Sequence, residues 1–170
     1  MEYKIPLQLD TSRVLLKKVD IEHWPALHKY YRDEQATLYT TGKALTEGES
    51  WRLIACMVGH WEIHGYGPYT MFERETGEVI GVTGLWFPGD WPEPEIKWAL
   101  LPEYMGQGFA KEAAIAVQDM VRTSMPGLRL ISLIVEQNLP SIKLAEAVGA
   151  QFERVMEFRG KQAMIYRHPE

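Results

Sequence analysis

The stretch from Glu95 to Val121, EIKWALLPEYMGQGFAKEAAIAVQDMV, constrains the fold more than any other part of the chain. Ile96, Trp98 and Leu100 alternate with the period of a half-buried strand. Pro102 ends that run, because proline cannot donate to a ladder. Beyond it, Ala110, Ala113, Ala114, Val117, Met120 and Val121 fall on one stripe of an amphipathic helix. The segment therefore reads as strand, turn, glycine loop and helix.

The loop is Met105-Gly106-Gln107-Gly108-Phe109-Ala110. Glycines admit backbone conformations that a side chain blocks, and they let a ligand approach the main chain. The helix that follows begins with unpaired N–H groups and the positive end of its dipole. Together these make a cradle for a pyrophosphate that needs no cationic side chain, with Lys111 able to add a point charge. A Walker A loop is absent, and the dinucleotide fingerprint fails where Lys111 stands in place of its third glycine. Two glycines alone fit a loop that merely turns a corner equally well.

Strands and helices can be placed along the rest of the chain. A first strand is expected over Arg13 to Val19, followed by Asp20 as a cap. A helix from Trp24-Pro25 should carry Leu27, Tyr30 and Tyr31 and end before Thr37, with Leu38 to Leu45 as loop. Thr46 and Glu49 form a capping box for a helix running to about Ile63, with Trp51, Ile54, Ala55 and Val58 as its inward stripe. Tyr69 to Arg74 and Val79 to Trp86 read as a hairpin, and Phe87 to Pro94, with three prolines, as an irregular loop. After the central segment come a strand at Arg129 to Val135 and a short helix at Ser141 to Val148 closed by Gly149. A C-terminal hairpin pairs Phe152 to Phe158 with Ala163 to Arg167 across Arg159-Gly160-Lys161-Gln162. This order predicts a three-layer α/β (α+β) domain around a mixed sheet, with residues 1–170 as one domain.

Composition narrows the function classes. A net charge of −5 argues against a nucleic-acid partner, and 46% hydrophobic with 24% charged residues is ordinary for a soluble globular protein. No run is apolar enough to span a bilayer and no signal peptide is visible, so a cytoplasmic monomer or homodimer is expected. The single cysteine, Cys56, excludes an internal disulfide and lies where a buried structural thiol is expected. No His, Cys, Asp and Glu set has metal-ligand spacing, so no metal is expected.

The run MGQGFAKEA from Met105 to Ala113 resembles motif A of the GNAT acyltransferases, [QR]-x-x-G-x-[GA], with Met105 in the Gln/Arg position. NLPSIKLAEAVGA, from Asn138 to Ala150, is similar to that family's second motif, with Ala150 in place of its Phe. TSRVLLKKV and GEVIGVTGL upstream are in the style of the branch that acetylates the N-termini of ribosomal proteins. The resemblance spans nearly the whole chain. It implies an acetyl-CoA-dependent N-acetyltransferase with a primary-amine acceptor, a protein N-terminus or a small amine, attacked directly in a ternary complex. It also implies helices on both faces of a sheet whose two central strands splay apart.

The same resemblance assigns roles. Free backbone groups of Trp98, Ala99 and Leu100 would bind the pantetheine arm as an added strand would. The amides of Met105, Gly106, Gln107, Gly108, Phe109, Ala110 and Lys111 would hold the pyrophosphate. Asn138 would neighbour the pantetheine or thioester, or cap a helix. Ser141 would protonate the leaving thiolate or cap the same helix. The tyrosine that many relatives use as acid is excluded, since Ala145 stands there. Glu95 matches the family's base, with Glu93 and Glu103 as neighbours, or is a solvated strand-end residue. His64 and Tyr66 are candidates for the acceptor pocket, and Tyr30, Tyr31, Tyr39, Trp61 and Trp86 for an aromatic groove or for the core. The alternative to an enzyme is a catalytically silent acyl-CoA-binding regulatory module.

Overall fold

Val14 and Leu16 alternate with Leu15 and Lys17, and only the first pair is completely buried: this is a strand with one face on a core. It is β2 (Val14–Lys18) in a computed structural model that describes residues 3–170. The remaining strands are β1 (Gln8–Asp10), β3 (Pro68–Glu73), β4 (Val79–Trp86), β5 (Glu95–Leu100), β6 (Ile131–Val135), β7 (Gln151–Phe158) and β8 (Lys161–Arg167). They form one sheet in the order β1-β2-β3-β4-β5-β6-β8-β7. Every neighbouring pair is antiparallel except β5 and β6, which makes the sheet mixed at its centre.

The helices are α1 (Trp24–Tyr31), α2 (Glu34–Thr37), α3 (Glu47–His64), α4 (Phe109–Ser124) and α5 (Leu139–Ala147). The expected capping box opens α3: the Glu49 N–H donates to Thr46 Oγ1 at 3.2 Å, and the Thr46 N–H to Glu49 Oε2 at 2.9 Å. Gly65, at φ 75°, ends it. Helices cover both faces. The Trp86 ring stacks on His60 of α3, whereas the Trp98 indole reaches Ser141 of α5 on the opposite side.

Four expectations need correction. β1 is an additional edge strand; its three residues, with Leu9 the one apolar side chain among them, are too few to mark a strand and form one by pairing with Lys17, Leu16 and Leu15. The helix expected from Trp24 towards Thr37 breaks at Arg32, and Asp33 caps α2 by accepting the Ala36 N–H at 2.8 Å. The turn between β7 and β8 shortens to Arg159-Gly160, both at positive φ. Cys56 is exposed rather than buried. The inward stripe of α3 is Ser50, Ile54, Met57 and Trp61, one residue off the stripe read from Trp51, Ala55 and Val58, which rotates Cys56 outward.

The main core lies between β2–β5 and α1, α3 and α4, built on Leu16, Ile54, Met57, Trp61, Tyr69 and Ile96. A second, smaller cluster, Ile134, Ala145, Ala150 and Tyr166, sits under α5 beyond the junction of β5 and β6. Trp98 packs against both.

Candidate active site

The junction of β5 and β6 is where the two halves of the sheet part. Their pairing is limited to Glu95 opposite Ile131, with the Ile131 N–H donating to Pro94 O at 3.0 Å. A parallel ladder would continue from the Leu133 N–H to Ile96 O. Side chains intercept both groups instead. Leu133 donates to Glu95 Oε2 at 3.1 Å, and Ile96 O accepts the Ser132 hydroxyl at 2.8 Å. Past this point β5 pairs only with β4, without any register shift along its length.

Strand parity then decides which backbone groups face the cleft. Pro94 O and Ile96 O point toward β6, so Trp98 and Leu100 do as well. Ala99 points to β4: it is paired with Val82, and a Cβ on Gly81 would come within 2.2 Å of its carbonyl oxygen. Of the three residues expected to offer free backbone groups, Ala99 is therefore withdrawn into the sheet.

Glu95 is not a solvated strand end. It is 6% exposed, and burial pushes its carboxyl up to about 7, against the N–H of Leu133 that holds it down. Two residues on and on the same face, burial pulls the Lys97 ammonium down to about 8, and its Nζ lies 4.9 Å from the centre of the Trp86 ring. Glu93 is tied to Arg167 at 2.7 Å and Glu103 is exposed, so neither shares the setting of Glu95. On this face His60 is buried and neutral: burial pulls its pKa down to about 4, Nδ1 pairs with Tyr66 O at 2.8 Å, and Nε2 accepts the Phe87 N–H at 2.9 Å. The His64 ring lies 4.3 Å from that of His60, half-buried. Tyr30, Tyr31 and Trp61 are core residues, while Tyr39 is exposed.

At the far end of β5 a 3-10 turn over Pro102–Tyr104 leads into the glycine loop. Gly106 and Gly108 have φ of 73° and 84°, and Gly108 is the N-cap of α4, with no side chain capping the helix. The first N–H groups of α4 are thus left for a ligand, and a Cβ at Gly106 would meet only open space. Met105 and Lys111 are exposed and Phe109 is buried, which anchors the loop from below. Arg13 fixes it from the side. Its Nη1 donates to Gln107 O at 2.9 Å, its Nε to Glu112 Oε2 at 2.8 Å, and its guanidinium covers the Phe109 ring at 4.7 Å.

Beyond β6, Asn138 is the N-cap of α5, its side chain accepting the Ser141 N–H at 3.3 Å. The helix begins at Leu139 rather than Ser141, so Ser141 lies in the first turn and is not the cap. Its Oγ accepts the Trp98 indole N–H at 3.2 Å across the cleft.

The family model described as an acetyltransferase (GNAT) domain matches residues 13–151. The chain belongs to the GNAT acetyltransferase family. Among curated GNAT relatives, the N-acetyltransferase p20 of Bacillus licheniformis is 29% identical over 150 residues, 87% of this chain and 84% of p20. An acetyltransferase of Agrobacterium tumefaciens superposes with a TM-score of 0.87 at 26% identity, covering 100% of this chain and 98% of that one. RimL, an alpha-N-protein acetyltransferase of ribosomal L7/L12 solved with coenzyme A, shares the fold at a TM-score of 0.76 and 21% identity, with 96% of each chain covered.

GNAT enzymes use acetyl-CoA, and the residues present fit it. Open amides at the α4 N-terminus suit a pyrophosphate, and the unpaired backbone edge at Trp98 and Leu100 suits the amides of a pantetheine arm. Among the described residues no cluster of three or more His, Cys, Asp or Glu side chains converges, and no described helix is long and apolar enough to cross a membrane. Reading the sequence missed Arg13, His60, Lys97, Ser132 and His168. Ser132 did leave a signal, as the one polar residue in the run Ile131–Val135. The others are single polar residues without periodicity.

Proposed function

We propose that this acetyltransferase moves an acetyl group from acetyl-CoA to a primary amine, a protein N-terminus or a small amine, by direct attack in a ternary complex. The observation that carries the reading is Glu95: a buried carboxyl at the root of the cleft, poised near neutrality, with one oxygen fixed by Leu133. Such a group accepts the proton of an incoming ammonium at working pH.

When bound, acetyl-CoA supplies the activated acyl carbon. The amides from Met105 to Lys111 would hold its phosphates, and the unpaired backbone groups of Trp98 and Leu100 its pantetheine arm. α4 covers the face carrying Ile96 and Trp98, which leaves the α3 face, with Glu95, Lys97 and Trp86, for the acceptor. Glu95 takes the proton of the amine. The Ser141 hydroxyl would donate a hydrogen bond to the departing sulfur, stabilising it as a thiolate that takes its proton from solvent; the Trp98 indole donates to Oγ, which leaves the hydroxyl proton free to point at the sulfur. The fold shared with RimL and the likeness of TSRVLLKKV and GEVIGVTGL to its branch favour a protein N-terminus as acceptor. Release of free CoA thiol on adding short peptides with free or blocked N-termini tests this. Release with free N-termini alone is the expected result; release without acceptor dependence, or with none of the amines, overturns it.

A further inference from the structure

The parting of β5 from β6 needs a cause, because two adjacent parallel strands gain a hydrogen bond for each rung they close. No register shift in β5 supplies one. The next rung would join the Leu133 N–H to Ile96 O, and both groups are already taken by side chains.

Ser132 is 2% exposed and His168 3% exposed, and neither belongs to the proposed chemistry. Ser132 Oγ donates to Ile96 O at 2.8 Å and therefore accepts from His168 Nε2 at 2.9 Å. His168 Nδ1 is then the acceptor for Gln118 Nε2 at 2.8 Å, which also donates to Val148 O at 3.0 Å. Each donated hydrogen has one acceptor, the two of the Gln118 amide included, so the chain from α4 to β5 has a single consistent direction. Burial pulls the His168 pKa down to about 4, which keeps the imidazole neutral and this direction fixed through the physiological range.

We propose that Ser132, oriented by His168, is a positioning residue that holds the cleft open by occupying the carbonyl through which β5 and β6 would otherwise zip together. The inference rests on the reading of this cleft as the seat of the pantetheine arm. With the hydroxyl gone, Ile96 O becomes free, the Leu133 N–H transfers to it, Glu95 loses its donor, and the cleft shortens by one rung.

Titration of the full-length protein with free coenzyme A tests this without turnover. Ser132→Ala is expected to weaken CoA about tenfold, the order expected of one redirected hydrogen bond, and to lower the thermal midpoint because the buried His168 Nε2–H loses its acceptor; Ser132→Thr should restore both. His168→Phe keeps the hydroxyl but not its orientation and should give a smaller loss. In turnover, the acid limb of kcat/KM should move to higher pH in Ser132→Ala because Glu95 is no longer held by Leu133; Lys97, the charged group acting on Glu95, is unchanged. Unchanged CoA affinity in folded Ser132→Ala overturns the inference and leaves the proposed function standing. Weakened affinity with an unmoved acid limb also overturns it, since packing alone does that. Failure of the unaltered protein to bind CoA overturns the reading of the cleft itself, and this inference with it.

Discussion

Glu95 Oε2 accepts the backbone N–H of Leu133 at 3.1 Å, a side chain of one central strand standing in for the backbone of the other. That contact ties the proposed base to the geometry of the cleft, since the carboxylate is both the acceptor that Leu133 requires and the group proposed to receive the substrate proton. Its consequences for rate and for stability can be separated.

Glu95→Gln keeps the Leu133 hydrogen bond but cannot take a proton. Turnover should fall by about 10²–10⁴-fold. CoA affinity should stay within about twofold, since the pyrophosphate and pantetheine contacts are untouched. Stopped-flow thiol release together with calorimetry measures both, and retained turnover would remove Glu95 as base.

The raised pKa of Glu95 sets a pH dependence of activity. A base must be deprotonated, so kcat/KM should fall about tenfold per pH unit below about 7 and level off above it. An acid limb near the ordinary carboxylate value would show that Glu95 is not the group titrating.

The same shift predicts the opposite trend in stability. The folded protein holds the Glu95 proton more tightly than the unfolded chain does, so ionised Glu95 costs stability. That cost is absent below about 4.5 and complete above about 7. Glu95→Gln should therefore be more stable than the unaltered protein at pH 8, on the order of 1–3 kcal/mol, and equal to it near pH 4.5. Thermal melts at the two pH values decide the sign.

Trp98→Phe removes the donor to Ser141 Oγ and retains most of the ring that bridges the two clusters of the core. The expected result is a fall in kcat of about tenfold with the KM for acetyl-CoA nearly unchanged. Ser141→Ala should lower kcat at least as far, and adding Trp98→Phe to it should cost little more.

The glycine loop has an external support in Arg13. Arg13→Ala removes its bonds to Gln107 O and Glu112 and should weaken CoA about five- to tenfold. The change in folding stability should stay at about 1 kcal/mol, as the guanidinium is about half exposed and Glu112 keeps its bonds from Thr11 Oγ1 and the Arg13 backbone N–H. Gly108→Ala acts on the same loop from within. At φ 84° a Cβ is strained by about 1–2 kcal/mol and would lie 3.2 Å from Arg13 Nη2, so CoA binding should drop further than in Arg13→Ala. Equal affinities for the two variants would place the phosphates elsewhere.

Local signals explain what could be read in advance. The stripe of α4, the glycines at 106 and 108 and the Thr46–Glu49 capping box depend on neighbours within a few residues, so they stand in the structure as their patterns suggest; the strand at Ile96 to Leu100 stands too, but it is buried on both faces where its alternation suggested one. Two ordered motifs then sufficed to point to the GNAT family. Where an outcome depended on partners far along the chain, the pattern was silent or misleading. Cys56 lies one position off the true inward stripe of α3, and β1 becomes a strand only against β2.

The candidate site divides the same way. The proposed pyrophosphate cradle is written in a contiguous stretch, because a helix N-terminus after two glycines is a property of local backbone. The cleft is not, since it arises where β5 and β6, far apart in sequence, meet at a single pair and then have their next hydrogen bonds intercepted by Glu95 and Ser132. Burial of Glu95, withdrawal of Ala99 into the β4 ladder and the reach of Trp98 to Ser141 all follow from that meeting. The sequence alone therefore determined the family and the glycine loop proposed to hold the cofactor's phosphates. Tertiary structure decided which carboxylate is desolvated enough to titrate near neutrality and which backbone groups are left unpaired, because desolvation and strand pairing exist only once distant segments are packed together.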